Sequence, residues 1–114
     1  ENILKEVVSK YKGARYEFSV YEQYRNMMDI ISGCSFIMDY AEEAMNRAGV
    51  KADRHLIRGG TDGSRLSFMG MPCPNIFTGE MAIHSKHEYV SVQDMQKAVD
   101  TLVHLVQVWE EKGA

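Results

Sequence analysis

The central stretch of this sequence reads Ile57-Arg58-Gly59-Gly60-Thr61-Asp62-Gly63-Ser64 and joins a short apolar strand candidate to a helix candidate. Gly59 and Gly60 can adopt positive φ and leave room for a bound group. Thr61 or Asp62 can cap the following helix, whose first N–H groups then attract an anion. Arg58 adds a planar fork of donors suited to a carboxylate or phosphate. The loop therefore predicts a place for the negative end of a ligand, although an ordinary capped strand-to-helix turn would use the same residues.

Composition excludes several classes of function. The chain has 114 residues, of which 45% are hydrophobic, and its formal net charge is −3 with no Lys/Arg block. This length suits one modest domain, and the charge pattern does not suit the phosphates of a nucleic acid. The apolar runs are shorter than the ~20 residues that cross a bilayer, so no membrane partner is expected. Cys34 and Cys73 are too far apart in sequence to indicate a zinc ribbon or a disulfide scaffold.

The N-terminal part predicts a helix followed by a strand. Apolar residues recur at helical spacing over residues 3–8, with Asn2 as the expected cap and Gly13 as the expected stop. Residues 16–21 alternate between apolar and polar side chains, which is typical of a strand with one covered face. Residues 27–33 carry no clear period, so we expect a crossover and a hinge there.

The remainder predicts an alternation of helices and strands. A helix is expected from residue 36 until Gly49, and a short helix over residues 64–69 is expected between strands at 54–57 and 75–78. Ser91 is the expected cap of the last and longest helix. The apolar face of that helix consists of Met95, Ala98, Val99, Leu102, Val106 and Trp109.

Two of the four histidines lie in an aperiodic segment between residues 78 and 90, and loops at strand ends often carry the chemistry of α/β enzymes. Taken alone, the pair His84 and His87 favours two exposed side chains, because no Cys or clear carboxylate partner completes a zinc site. His55 in a strand candidate and His104 in the last helix are interpreted as structural.

Taken together, the motifs resemble the peptidase T family. That family comprises cytoplasmic aminotripeptidases with a two-zinc site, related to carboxypeptidases and dipeptidases that share the same catalytic domain. The resemblance is to the C-terminal part of such an enzyme, so we expect the other metal ligands and the catalytic Glu in a part that this sequence lacks. The residues that carry the resemblance are Tyr24 to Met27, Arg58 to Gly63, Leu66 to Gly70, Pro72 to Gly79 and Ile83 to Val90.

The resemblance implies an α/β fold with two parts. Residues 1–31 would form the end of a lid or dimerisation domain, with one helix, one strand and the crossover. Residues 32–114 would form the C-terminal part of a zinc-exopeptidase catalytic domain. The strand at 16–21 would then lack its neighbours in the sheet of the lid.

The resemblance also implies the residues of a site. His84 maps onto a zinc ligand, and His87 and Glu88 onto residues that support it. No catalytic acid or base maps onto this chain. The substrate-binding candidates are Arg58, Gly60, Thr61 and Asn26, with Asp62 beside them as a supporting residue.

Two of these assignments have local alternatives. Arg58 and the backbone of Gly60 and Thr61 would hold a substrate carbonyl or terminal carboxylate, but Arg58 could instead pair with Asp62 as a routine surface contact. For Asn26, a structural role is favoured over one facing the cleft.

For the complete enzyme we expect release of the N-terminal residue of a tripeptide, assisted by two zinc ions, in the cytoplasm. An amidohydrolase or deacylase with the same catalytic fold is the nearest enzymatic alternative. The alternative from another class is a noncatalytic α/β fragment or interaction module. Such a fragment would expose apolar surface and is expected to self-associate.

Overall fold

Helices account for most of the ordered secondary structure in the computed structural model, which describes residues 1–113. This part of the chain is flat and elongated, with extents of 67 × 37 × 19 Å. The elements in chain order are α1 (Asn2–Ser9), α2 (Met28–Ile31), a 3-10 turn (Ser32–Cys34), α3 (Phe36–Arg47), α4 (Asp62–Phe68), β1 (Glu80–Met81), β2 (Tyr89–Val90) and α5 (Val92–Lys112).

The core lies where α3 packs against α5. Small side chains allow the close approach, because Ala41 and Ala44 of α3 and Ala48 at its C-cap recur three and four residues apart and are buried. On α5 the buried residues are Thr101 and Val108. The Thr101 hydroxyl is satisfied within its own helix by the Lys97 carbonyl oxygen at 2.8 Å. This helix pair is therefore the main apolar contact of the chain.

Aromatic rings and a long lysine extend the same contact. Trp109 of α5 meets Phe36 and Tyr40 of α3 edge-to-face, with ring centroids 5.9 and 5.2 Å away. Such geometry is favoured by the ring quadrupoles. Lys97 Nζ donates to the carbonyl oxygen of Ala48 at 2.7 Å, which satisfies a carbonyl at the end of α3.

Ion pairs secure the end of α5 on α3. Arg47 contacts Glu43 and Glu111 at 2.6 Å each, and Lys112 also pairs with Glu43. Hydrogen bonds from Lys112 and Arg47 lower the pKa of Glu43, and the bond from Arg47 lowers the pKa of Glu111. Since these groups are partly exposed, the network orients the helix end more than it stabilises the fold.

The three predicted strands at 16–21, 54–57 and 75–78 do not form. They lie in the irregular segments 14–26, 50–57 and 71–79. A strand is held by backbone hydrogen bonds to a neighbouring strand, and alternation of side chains does not supply that neighbour. In this part of the chain the only strand pair described is β1 with β2, so the expected α/β pattern appears as a mixed helical fold with a two-stranded sheet.

Several predicted boundaries are also corrected. Glu1, not Asn2, precedes the first turn of α1, which ends at Ser9 before the positive φ of Gly13. Residues 27–33 are largely helical, because α2 and the 3-10 turn lead into α3. The crossover expected at residues 27–33 is therefore mostly helical and not irregular.

Other predictions are confirmed. Helix α3 ends just before Gly49, which has a φ of 69°. The hydroxyl of Ser91 caps α5 by accepting a hydrogen bond from the Asp94 amide at 3.0 Å. Helix α4 begins at Asp62, slightly earlier than predicted, with Thr61 in the N-cap position.

The apolar face of α5 is present, but most of it is uncovered. The helix packs on α3 through an adjacent face that contains Thr101 and Val108. This leaves a continuous apolar stripe with no cover among residues 1–113, which we call the α5 stripe: Met95, Val99, Leu102 and Val106. No helix within residues 1–113 combines the length and apolarity needed to cross a membrane.

Replacing Val108 with Ala should lower the free energy of unfolding by about 2 kcal/mol, because two methyl groups leave a filled contact. Val92→Ala on the same helix is the matched control and should change it by less than about 0.5 kcal/mol. The two residues are 0% and 72% exposed, respectively. Urea unfolding followed by circular dichroism measures both values, and equal effects would show that α5 does not pack on α3 through Val108.

Candidate functional site

The Gly-rich loop leads directly into α4. Gly59 has a φ of 91°, as the sequence predicted, whereas Gly60 does not adopt positive φ. Thr61 has extended backbone (φ −126°, ψ 162°) at the N-cap, but its side chain makes no capping hydrogen bond. Its Oγ1 is buried and has no hydrogen-bond partner among the described residues. The loop therefore contains a buried hydroxyl whose hydrogen-bonding capacity is unused.

Arg58 is exposed at the beginning of this loop. The ion pairs formed within residues 1–113 include none between Arg58 and Asp62, so the local pairing considered from sequence is not present. Asp62 lies in the first turn of α4, where a negative charge is favourable for the helix. The guanidinium of Arg58 is thus accessible to a ligand from solvent.

One side of α4 is anchored to the segment after it. A side chain at Gly63 would collide with the Cys73 carbonyl, so the two backbones approach closely there. Ser67 is buried, and its Oγ donates to the Gly63 carbonyl at 2.7 Å while accepting from the Cys73 amide at 3.0 Å. Ser67 is therefore a structural residue, in agreement with the absence of a His or Asp pattern around it in the sequence.

The opposite side of α4 contacts the segment before α2. The Tyr24 ring lies against Gly60, and the carbonyl oxygen of Arg25 accepts a hydrogen bond from Ser64 Oγ at 2.5 Å. Asn26 Oδ1 accepts from the Met28 amide at 3.0 Å, which caps the start of α2. Residues 24–26 therefore link α4 to the start of α2.

A cleft of about 720 Å³ lies beside the Gly-rich loop. Its floor includes apolar side chains of α3 such as Met38 and Met45, and its walls are the irregular segments 50–57 and 74–77. Asn26, Gly60 and Thr61 all line this cleft, so the structure brings together three of the four substrate-binding candidates. Arg58 is not among the lining residues.

His84 lies in the loop of the β1–β2 hairpin, away from the cleft lining. The strands pair antiparallel with Glu80 opposite Val90 and Met81 opposite Tyr89. His84 has a φ of 63°, an uncommon value for a residue with a side chain. A positive φ in a residue other than glycine costs conformational energy and persists only where neighbouring contacts hold it. Such residues are frequent at functional sites.

Two side chains within the hairpin loop stabilise this conformation. The Glu88 carboxylate accepts the backbone N–H of His84 at 2.7 Å, and Ser85 Oγ accepts the backbone N–H of His87 at 3.1 Å. The imidazoles of His84 and His87 are exposed. Glu88 therefore supports the backbone of His84 and not its ring, and His87 contributes its own backbone to the loop.

The donor set of the described residues does not complete a metal site. Residues 1–113 contain no group of three or more His, Cys, Asp and Glu side chains placed to hold a metal ion. A structural or catalytic zinc ion needs at least three protein ligands, and His84 offers a single imidazole. A zinc ion bound through His84 would therefore need further ligands from outside residues 1–113.

Sequence reasoning missed the contacts of Tyr24 and Arg25 with α4. Both residues belong to a motif that the sequence singled out, and α4 carries Arg65 and Phe68 as complementary partners. Aromatic and arginine side chains in two separated motifs were the available signal. Only the folded chain shows that the two motifs are adjacent.

Comparison with known proteins places the chain in a family. The model of peptidase family M20/M25/M40 matches residues 13–108. A Peptidase T of Bacillus cereus is 46% identical over 113 residues, which are 99% of this chain and 28% of that protein. A Peptidase T of Clostridium perfringens is 41% identical over 110 residues, 96% of this chain and 27% of that protein. The chain thus spans about a quarter of the length of these relatives, and it belongs to peptidase family M20/M25/M40.

Proposed function

We propose that this chain is part of a cytoplasmic aminopeptidase that releases the N-terminal residue of tripeptides. The observation that carries the proposal is the 41–46% identity to proteins named Peptidase T over nearly the whole chain. It extends across both the Gly-rich loop and the His84 hairpin. An amidohydrolase of the same fold is the alternative, and an exposed Arg58 suited to a peptide's terminal carboxylate favours the peptidase.

The Gly-rich loop would hold the substrate. Arg58 is exposed and carries a planar, permanently charged fork that can bind a carboxylate through two hydrogen bonds. Gly60 and Thr61 line the cleft next to it, and the buried Thr61 hydroxyl is available as a further polar contact. Asp62, in the first turn of α4, would stabilise the helix that follows this loop. Asn26 would hold the opposite rim of the cleft through its bond to the Met28 amide.

His84 would serve as a zinc ligand. Two zinc ions, when bound, polarise the peptide carbonyl and activate water. The exposed imidazole and the backbone conformation secured by Glu88 suit a ligand that must project from a loop. His87 would support the same loop through its bond to Ser85. The general base and the remaining ligands would come from the rest of the enzyme, because residues 1–113 do not complete the site.

The division into two domains is also a proposal. Residues 1–31 would end the lid or dimerisation domain, and residues 32–114 would belong to the catalytic domain. Helix α1 has no buried residue, which supports its assignment to a part whose packing partners lie elsewhere. The α5 stripe supports the corresponding conclusion for the catalytic part, since it presents an apolar helix face that no residue within 1–113 covers.

For the isolated chain, a noncatalytic self-associating fragment is the second candidate. The exposed α5 stripe favours it, because contiguous apolar surface in water promotes association. In the complete enzyme the stripe would be covered by the remainder of the catalytic domain. The two proposals therefore concern the same polypeptide in different settings.

Substrate anchoring can be tested in a chimera in which this chain replaces the matching segment of the Bacillus cereus Peptidase T. Arg58→Lys should retain zinc but reduce kcat/KM by about ten- to a hundredfold, because the charge stays and the bidentate contact is lost, worth roughly 1.5–3 kcal/mol. His84→Ala should lower both zinc content and kcat. Steady-state kinetics on tripeptides and zinc per protomer measure the two effects.

Arg15→Lys makes the same substitution in an exposed segment and should leave the kinetics unchanged. Normal kinetics for Arg58→Lys, or loss of zinc in that variant, would show that Arg58 belongs to the scaffold and not to the substrate site.

The 114-residue chain alone should have no aminopeptidase activity, and saturating zinc should leave its melting temperature unchanged, because one imidazole cannot form a closed site. Differential scanning fluorimetry with and without zinc measures the melting temperature. His84→Ala and His104→Ala form a matched pair of histidine variants. A large zinc-dependent rise that His84→Ala abolishes and His104→Ala retains would contradict the expectation.

Self-association of the isolated chain should depend on the α5 stripe. Leu102→Glu places a charge within the stripe and should shift the chain toward monomer in sedimentation equilibrium, since burying that charge is unfavourable. Gln93→Glu adds the same charge at an exposed polar position of α5 and is the control. Equal association of both variants would mean that copies meet through another surface.

A further inference from the structure

The segment formed by Tyr24 and Arg25 lies along α4 and is held there by a partly buried hydrogen bond. Ser64 Oγ donates to the carbonyl oxygen of Arg25 at 2.5 Å, and Ser64 is only 3% exposed. Because Ser64 is buried, breaking this bond leaves its hydroxyl without a partner. The bond therefore fixes the backbone of the segment on the helix.

Two cation–π contacts interlock the same pair of elements. The Arg25 guanidinium carbon lies 3.9 Å from the centroid of the Phe68 ring, and that of Arg65 lies 5.1 Å from the centroid of Tyr24. Both distances are within the ~6 Å over which such contacts are attractive. Each element contributes one cation and one ring. The arrangement thus holds the segment at two places in addition to the hydrogen bond.

The Tyr24 ring also reaches the Gly-rich loop. A Cβ built on Gly60 would overlap this ring, and Gly60 does not adopt positive φ. Glycine at this position is therefore required by the approach of the ring and not by backbone conformation. Tyr24 is in direct contact with the residue that precedes the N-cap of α4.

The loop depends on supports of this kind. Arg58, Gly59 and Gly60 are exposed and lie outside any helix or strand. On one side α4 is fixed by Ser67 and the segment around Cys73. On the other side the support comes from Tyr24 and Arg25, which follow an exposed stretch of the chain.

We propose that Tyr24 and Arg25 are positioning residues that clamp the segment before α2 onto α4 and thereby set the conformation of the Gly-rich loop. The exposed residues 14–23 lead directly into this clamp. The effect on substrate rests on the proposed role of Gly60 and Thr61. The physical coupling between Tyr24 and the loop is independent of that role, because it rests on the contact of the Tyr24 ring with Gly60.

The coupling is tested in the 114-residue chain by amide hydrogen exchange of residues 64–69, whose amides are hydrogen-bonded in or next to α4 directly after the Gly-rich loop. Tyr24→Ala should accelerate exchange there by about tenfold, since it removes the ring that packs on Gly60 and Arg65. Tyr24→Phe keeps the ring and should exchange like the unchanged chain. Tyr21→Ala is the matched control, because Tyr21 lies three residues earlier and is 83% exposed.

The consequence for substrate is tested in the chimera with the Bacillus cereus Peptidase T. Tyr24→Ala should raise KM by about tenfold with a smaller change in kcat, and Tyr24→Phe should restore KM. Gly60→Ala should also raise KM through its clash with the ring. The double variant Gly60→Ala with Tyr24→Ala should lose less than the two single effects combined, because the clash is removed.

Amides of residues 64–69 that exchange in the unchanged chain as fast as those of residues 14–23 would overturn the clamp. Equal acceleration by Tyr21→Ala and Tyr24→Ala would overturn it as well. Accelerated exchange together with normal kinetics in the chimera would uphold the clamp and remove the proposed substrate role of the loop. Failure of the two proposals can thus be told apart.

Discussion

The packing of α3 against α5 is the interaction on which the order of this chain depends. It joins a helix from the middle of the sequence to the C-terminal helix through small buried alanines, Val108 and the edge-to-face contacts of Trp109. Hydrophobic contact of this kind is not directional, so the ion pairs around Arg47 contribute the orientation. The α3–α5 pair forms a base, and the cleft opens beside it.

The cleft lies between segments that form no sheet. The segments 50–57 and 74–77 border it without pairing, and the apolar side chains of α3 at its floor face open space. Helices satisfy their backbone hydrogen bonds internally, whereas strands require a partner. The helices of this chain consequently form with limited support from other elements, while the strands that the pattern predicts are absent.

The candidate site has two parts, the Gly-rich loop and the His84 hairpin, which are held by different kinds of contact. The Gly-rich loop is positioned by contacts within the chain, through Ser64, Ser67 and the approach of Tyr24 to Gly60. The His84 hairpin is organised internally by Glu88, but its imidazole has no partner ligands within residues 1–113. The Gly-rich loop is therefore fixed by contacts between separate segments of residues 1–113, whereas the His84 hairpin depends on contacts within its own loop.

The sequence by itself determined the features that depend on local chemistry. The ends of α3 and α5 follow from Gly49 and Ser91, and Gly59 adopts the positive φ expected of it. The motifs around Gly60 and His84 were sufficient to indicate the family. These signals are local because capping, left-handed backbone and motif spacing involve residues close together in the chain.

Only the tertiary structure decided which surfaces meet. It showed that α5 packs through Thr101 and Val108 and leaves its more apolar stripe exposed. It also showed that Gly60 is needed for the approach of the Tyr24 ring. Contacts between distant segments, and the presence or absence of a neighbouring strand, are set by the whole assembly of elements. No periodicity within a single segment can specify them.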